Sequence, residues 1–121
     1  MRIESSLMNA YSGMVTAASA QQVTSNNVAN ANTPSYKAQQ AVITENTNGG
    51  ASVSGVTADS SEGSAIQSIG GEGAYEYIES SNVDLGKEMV NTAMQKAAYE
   101  ANANSLKVSD QMMQQTVNLV A

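Results

Sequence analysis

Apolar residues in the first thirty positions recur at alternating spacings of three and four. They are Ile3, Leu7, Ala10, Met14 and Ala17, and the series continues past polar Gln21 and Thr24 to Val28. This spacing is typical of an amphipathic helix with a coiled-coil seam. The stretch contains no Pro and one Gly. We therefore predict a helix from Ile3 to about Asn30, roughly 40 Å long at 1.5 Å per residue.

A second helical pattern runs from Asn82 to Leu119. Its apolar stripe consists of Val90, Met94, Ala97, Ala101, Val108, Met112 and Leu119. Ser81 or Asn82 is predicted to cap the helix, and the early carboxylates Asp84 and Glu88 suit the positive end of its dipole. The helix would be roughly 55 Å long.

These two patterns predict a mainly α fold in which long terminal helices form an antiparallel coiled-coil hairpin. The seam is assigned to Leu7, Ala10, Met14, Ala17, Met94, Ala97, Ala101, Val108 and Met112. Seams within one chain and between chains have the same pattern, so either neighbour fits the periodicity. The two helices cannot bury all of their apolar positions against each other, which leaves surface for partners.

The segment from residue 38 to residue 81 has a different character. Glycines separate short runs of β-branched residues and tyrosine, and this spacing predicts two small hairpins between loops. All of its charged residues are acidic: Glu45, Asp59, Glu62, Glu72, Glu76 and Glu79. Their spacing does not match a calcium loop, so we interpret them as a solvated surface. Three regions are thus predicted: residues 1–37, 38–81 and 82–121.

An asparagine-rich run ends the first helix. It contains Asn26, Asn27, Val28, Ala29, Asn30, Asn32, Thr33, Pro34, Tyr36 and Lys37. Asn tolerates left-handed backbone angles, and Pro34 disfavours a helical conformation for the residue before it. With Pro34 at the second turn position and Ser35 at the third, we predict a type I turn, because type II prefers Gly at the third.

Composition excludes several classes of function. The chain has no Cys and no His, which removes thiolate nucleophiles, common zinc sites and imidazole acid-base chemistry. No arrangement of a nucleophile with its base is visible, so we do not expect an enzyme or a cofactor. A net charge of -6 argues against nucleic acid as a partner. The start of the chain shows no apolar signal-peptide core, and no stretch is long and apolar enough for membrane insertion.

Two segments resemble one known family. Residues 24–37 look like the amino-terminal signature of flagellar basal-body rod and hook proteins, and residues 81–102 are similar to their carboxy-terminal signature. The second match rests on Asn82, Val83, Asp84, Leu85, Glu88, Met89, Val90, Tyr99, Glu100, Ala101 and Asn102. Both signatures occur in the expected order.

The resemblance implies a structural subunit of the flagellar rod that polymerises through its terminal helices. It implies other rod or axial subunits and the flagellar type III export apparatus as partners. It also implies a place in the periplasm-spanning basal body, reached without a cleaved signal. The short middle region is most like that of a proximal-rod protein.

Two departures leave alternatives open. Ser35 stands where many relatives have Gly, and the middle is shorter and more acidic than the family leads us to expect. A divergent rod-like paralogue is therefore one alternative. Another is a flagellar export adaptor or chaperone, also an acidic helical hairpin, although an adaptor has no reason to carry both signatures.

Overall fold

A computed structural model describes residues 3–121 as two long helices connected by four short strands. In chain order the elements are α1 (Ile3–Ala29), β1 (Gln39–Glu45), β2 (Ala51–Ala58), β3 (Ala65–Ile69), β4 (Tyr75–Glu79) and α2 (Leu85–Val120). A single 3-10 turn, Gly71–Gly73, separates β3 from β4. The predicted mainly α class with a small β middle is therefore confirmed.

The two helices lie side by side and run in opposite directions. The Gln95 side chain near the start of α2 donates to Thr24 near the end of α1, at 3.1 Å. Far along α2, the Ser109 hydroxyl lies 3.4 Å from that of Ser6, near the start of α1. Contacts that connect the end of one helix to the start of the other establish the antiparallel arrangement.

Small side chains form the inner face of α1. Ala10, Ala17 and Ala20 are buried, and Leu7 and Met14 are half-buried. Val28, assigned to the same stripe, is instead exposed. The last buried positions of α1 are Thr24 and Asn27. Small residues allow close approach of a neighbouring helix and leave room for longer side chains from it.

The prediction for the seam of α2 is wrong for the contact with α1. The five residues assigned to it, Met94, Ala97, Ala101, Val108 and Met112, are all exposed. Met94 is 62% exposed and Val108 is 53% exposed. Hydrophobic periodicity locates an apolar face on a helix, but it does not say which neighbour covers that face.

The side of α2 that faces α1 carries polar residues that repeat every seven positions, with the half-buried Leu106 and Met113 between and beyond them. The polar residues are Glu88, Gln95, Asn102 and Ser109. They lie opposite Asn27, Ala20, Gly13 and Ser6 of α1, respectively, which are also spaced by seven. At Gly13 the fit is tight, since a Cβ atom there would lie 2.5 Å from the Asn102 side-chain oxygen. At 3.6 residues per turn, the outward apolar stripe lies roughly a third of a turn away from this polar face.

The middle region folds into two antiparallel hairpins, as predicted. Strand β1 pairs with β2, with an irregularity between Val42 and Ile43, and β3 pairs with β4. The first hairpin packs on α1: Thr16 donates to the Ala51 carbonyl at 2.9 Å, and the Ala51 amide donates to Ser12 at 3.3 Å.

Two local predictions about the ends of the helices are wrong. Helix α2 begins at Leu85, and its cap is Asp84, which accepts the Lys87 amide at 3.2 Å. Asn82 does not cap the helix, because its side chain is hydrogen-bonded to the middle region. Ser35 has a φ of 59°, which rules out a type I turn, since that type needs a negative φ at the third position.

Candidate functional site

Residues from both signature segments meet where α1 ends and α2 begins, in a cluster that we name the junction. It comprises Asn27, Tyr36 and Lys37 from the first segment and Asn82 and Glu88 from the second. Glu79, at the end of β4, joins it through Lys37. The fold therefore brings together residues that are up to 61 positions apart in sequence.

Asn27 is the centre of the junction and is only 1% exposed. Its amide nitrogen donates to the Glu88 carboxylate at 3.0 Å and to the Gln39 carbonyl at 2.7 Å. Its oxygen accepts from the Tyr36 hydroxyl at 3.1 Å and from the Gln39 amide at 2.8 Å. All four hydrogen-bonding positions of this side chain are filled, so one residue joins α1, β1, the turn and α2.

Glu88 is a buried carboxylate, 3% exposed, in the first turn of α2. One of its oxygens accepts from Asn27, and the other has no hydrogen-bond partner among the described residues. Nearby, burial and then the charge of Glu88 raise the pKa of the Tyr36 hydroxyl above its usual value. A buried carboxylate held by one amide makes the contact between the helices sensitive to any change in that amide.

Asn82 connects the two ends of the first hairpin to the chain entering α2. Its oxygen accepts the Ala38 amide at 2.6 Å, and its nitrogen donates to the carbonyls of Asp59 and Ser61, at 3.0 and 2.9 Å. Its own amide donates to the Tyr36 carbonyl at 3.2 Å. The position of the first hairpin is thus linked to the start of α2.

Lys37 and Glu79 form an ion pair at the base of the second hairpin. Lys37 also donates to the Ser61 carbonyl at 2.8 Å, and the same Glu79 oxygen accepts the Gly63 amide at 2.6 Å. The Lys37 side chain, and then the Gly63 amide, hold the pKa of the Glu79 carboxyl below its usual value. Glu79 is thus not a free surface acid, unlike the predicted role of the acidic residues in this region.

The turn after α1 is completed from the second hairpin. The Tyr36 amide donates back to the Thr33 carbonyl at 3.2 Å, and the Ser35 amide donates to the Glu79 carbonyl at 2.8 Å. This second contact accompanies the positive φ of Ser35. A partner distant in sequence therefore takes part in this turn, and the turn residues alone do not reveal it.

The remaining residues of the first signature serve the helix end locally. The Asn30 side chain donates to the Asn26 carbonyl at 2.9 Å and accepts from Thr33 at 3.1 Å. Asn26 itself donates to Tyr36 and Gln39 from an exposed position. Val28, Ala29, Asn32 and Pro34 are exposed and make no side-chain hydrogen bond within the described chain.

The remaining residues of the second signature lie along α2, outside the junction. Val83 is half-buried and donates its amide to Ser81, whereas Leu85, Met89 and Val90 are exposed. Tyr99, Glu100 and Ala101 are also exposed, and Asn102 faces Gly13 of α1. The sequence analysis did not single out Gln39, Gln95 or Ser109. For Gln95 and Ser109, the seven-residue spacing of polar residues in α2 was a signal that could have located them.

The junction is built for positioning, since most of its side-chain polar groups are paired with each other and one Glu88 oxygen is the exception. Among residues 3–121, no three acidic side chains come together in a group that could hold a metal ion. Neither helix, over its described length, is apolar enough to cross a membrane. What the arrangement does is fix the angle and register at which α1, the hairpins and α2 meet.

Two family models match this chain, one at each helix. The family described as "Flagella basal body rod protein" matches residues 7–37, and "Flagellar basal body rod FlgEFG protein C-terminal" matches residues 75–119. Asn27 lies in the first matched segment and Glu88 lies in the second, so the hydrogen bond between them joins the two segments. They therefore confirm the resemblance in the same order and place as the two signatures.

Curated relatives match shorter parts of the chain. Flagellar basal-body rod protein FlgG of Buchnera aphidicola subsp. Acyrthosiphon pisum is 44% identical over 43 residues, covering 36% of this chain and 16% of the relative. Flagellar hook protein FlgE of Escherichia coli K12 is 37% identical over 68 residues, covering 52% of this chain and 17% of the relative. FlgE of Salmonella typhimurium is 45% identical over 42 residues, covering 35% and 10%. Each match thus spans less than a fifth of the relative.

Proposed function

Because the chain belongs to the family of flagellar rod and hook proteins, we propose that it is a structural subunit of the basal-body rod that polymerises through its two terminal helices. The family consists of structural proteins of the bacterial flagellum and not of enzymes. The expectation that this chain has no enzymatic activity is confirmed on that ground.

The exposed apolar stripe of α2 is the observation that carries the proposal. Met94, Val108 and Met112 lie on this stripe, and within the described chain each stays about half exposed or more. Burying such side chains contributes about 1.5–3 kcal/mol each when they are fully removed from water. A helix packed on one side by α1 and apolar on another side can thus join a neighbouring subunit without unfolding.

The seven-residue spacing on both helices supports a coiled-coil hairpin as the unit of assembly. Small residues of α1 face amide and hydroxyl side chains of α2, and polar residues in a seam fix its register at some cost in stability. The Asn27–Glu88 contact would set that register at the end nearest the hairpins. Each subunit would then present its apolar stripe at a fixed orientation.

Contacts between unlike surfaces of successive subunits produce an open helical filament if the rotation does not close a ring. The stripe of α2 would meet a different surface on the next rod or axial subunit. The short middle region, residues 38–81, favours a proximal-rod position. Delivery would use the flagellar type III export apparatus, without a cleaved signal, to the periplasm-spanning part of the basal body.

A pair of matched charge substitutions tests the proposal. Met94→Glu adds one negative charge to the apolar stripe. Gln114→Glu adds the same charge on a different side of α2, which carries Lys96 and Lys107 at whole-turn spacings and where Gln114 donates to Asp110 at 2.9 Å. Both positions are exposed, so neither change should unfold the chain.

Cells carrying each variant would be fractionated into cytoplasm, medium and purified basal bodies. We expect Gln114→Glu to be retained in basal bodies and Met94→Glu to be exported but lost from them. Equal retention of both variants would reject assembly through the stripe. If the unsubstituted chain were found only in the cytoplasm, the rod function would be rejected in favour of an export adaptor.

A further inference from the structure

The two hairpins of the middle region differ in how they are supported. The β1–β2 hairpin packs on α1, and its turn approaches the helix so closely that a Cβ atom on Gly50 would lie 2.2 Å from the Ser12 hydroxyl. Within the described chain, the β3–β4 hairpin makes no extensive contact with either helix. It is held at its base, where the Glu79 carbonyl accepts the Ser35 amide and the Glu79 carboxylate pairs with Lys37.

One face of the β3–β4 hairpin carries three large exposed apolar side chains, together with Gln67, which pairs with Tyr77. Tyr75 and Tyr77 are two positions apart on β4 and so lie on the same face, and Ile69 pairs directly with Tyr75 across the strands. Their exposed fractions are 77% for Ile69, 68% for Tyr75 and 72% for Tyr77. An aromatic side chain can bury about 150–250 Å² against a partner. Because these two tyrosines and Ile69 are mostly exposed, together they form a patch of roughly 400 Å², a size that is often functional on a monomer.

A two-stranded hairpin alone in water is marginally stable. Within the described chain, no third strand pairs with either edge of this hairpin, and the side chains of Ile69, Tyr75 and Tyr77 stay mostly exposed. Packing against a partner would supply the burial that the chain itself does not provide.

The charges around the patch indicate the chemistry of that partner. Glu72 lies at the tip, Glu76 lies on the reverse face opposite Ser68, and both are exposed. From residue 38 to residue 86 the chain has no Lys and no Arg. A second copy of this hairpin would bring further acids near the first without any basic residue to pair with them, and the whole chain carries a net charge of -6. A basic surface with apolar residues between its charges is complementary.

From this geometry we infer that the β3–β4 hairpin is a docking arm whose Ile69–Tyr75–Tyr77 face binds a basic, partly apolar surface on a different protein in the same assembly. The inference deepens the proposed function, on which it rests, by naming the chemistry of a neighbouring subunit. The patch is smaller than a stable interface, so this contact is weak alone and adds to the larger contact of the helices.

Two synthetic octapeptides provide the probes: one alternates lysine and valine, and the other alternates glutamate and valine. Each is titrated into the full-length isotope-labelled chain while amide shifts are followed by NMR. We expect the lysine peptide to shift the amides of residues 65–79 selectively, and the glutamate peptide to leave them unchanged. Raising NaCl from about 50 to about 300 mM should weaken the binding, because exposed charges are screened.

The double variant Tyr75→Ser/Tyr77→Ser should bind the lysine peptide about tenfold more weakly. Tyr11→Ser changes an exposed tyrosine on α1 and should bind it as the unsubstituted chain does. Unchanged amide shifts in both helices and the first hairpin verify that the double variant is folded.

Equal binding of both peptides, unaltered affinity in the double variant, or shifts confined to other parts of the chain would overturn the inference. Concentration-dependent shifts of residues 65–79 without any peptide would also overturn it, in favour of self-association. These measurements do not depend on where the chain is located in cells, so failure of the docking arm is distinguishable from failure of the rod function.

Discussion

Replacing Asn27 by alanine is expected to destabilise the chain more than any other single change at the junction. The substitution removes two donated and two accepted hydrogen bonds at once. The Gln39 amide and carbonyl, the Tyr36 hydroxyl and the Glu88 carboxylate each lose a partner. Because Asn27 is buried, water does not replace it without rearrangement.

The size of the effect follows from those four losses. A neutral hydrogen bond contributes about 0.5–1.5 kcal/mol, and one to a charged group about 1.5–3 kcal/mol. Glu88 is the most affected group, because its other oxygen already has no partner within the described chain. Allowing for relaxation, we expect the free energy of unfolding to fall by about 3–4 kcal/mol, out of the 5–15 kcal/mol typical of a folded domain.

The neighbouring asparagine provides a matched control. Asn26 is exposed and donates to Tyr36 at 3.1 Å and to the Gln39 side chain at 3.3 Å, so Asn26→Ala should cost about 1 kcal/mol or less. Urea unfolding followed by circular dichroism measures both variants. Replacing Glu88 by leucine first should reduce the cost of Asn27→Ala by at least about 1 kcal/mol, because the buried carboxylate is gone. Equal costs for the two alanine variants would refute the central role of Asn27.

Three further outcomes are expected. Ala97→Glu, on the outward stripe, should change the free energy of unfolding by under about 1 kcal/mol, whereas Ala17→Glu, on the buried face, should cost several times more in the same urea titration. Lys37 lowers the pKa of Glu79 in the folded chain, so the ion pair stabilises the fold above the ordinary carboxyl pKa of 4.5, and this stabilisation is lost as the pH falls below that value. Glu79→Gln should remove this part of the acid unfolding curve. Ser35→Gly should raise the thermal midpoint and stabilise by up to about 1 kcal/mol, since glycine adopts a φ of 59° without strain; an unchanged or lower midpoint would contradict this.

Local patterns were sufficient to predict the elements of this fold. The three-and-four spacing located both helices, and the glycines between short β-branched runs located the two hairpins. These signals work because each element shows its own periodicity in a short window. The end of α1 at Ala29 agrees with the breaking effect of the asparagine-rich run before Pro34.

The partner of each face could not be predicted in the same way. Met94 and Val108 have the spacing of a seam, yet they face outward, while Gln95 and Asn102 face α1. A polar side chain at a helix contact is acceptable only when the opposite residue is small or offers a hydrogen bond, as Gly13 does here through its size. That information belongs to the pair of helices and not to either sequence pattern alone.

The candidate site was predicted only in part for a related reason. The two signatures included Asn27, Tyr36, Lys37, Asn82 and Glu88, but their spacing does not show that these residues touch. Likewise, Asn82 has the properties of a helix cap, and it is used for a contact 44 residues away in sequence. Asparagine suits caps, turns and tertiary contacts equally well, so only the folded chain separates these roles.

The claim that the stripe of α2 is buried between subunits of the flagellar rod can be tested by labelling a single cysteine. The chain contains no Cys, so Met94→Cys introduces one unique thiol at a position that is exposed in the free chain. Its rate of reaction with a maleimide would be compared between the purified chain and purified basal bodies that carry it. We predict rapid labelling of the free chain and strong protection in basal bodies. Labelling at the same rate in both, or absence of the chain from basal bodies, would contradict the account.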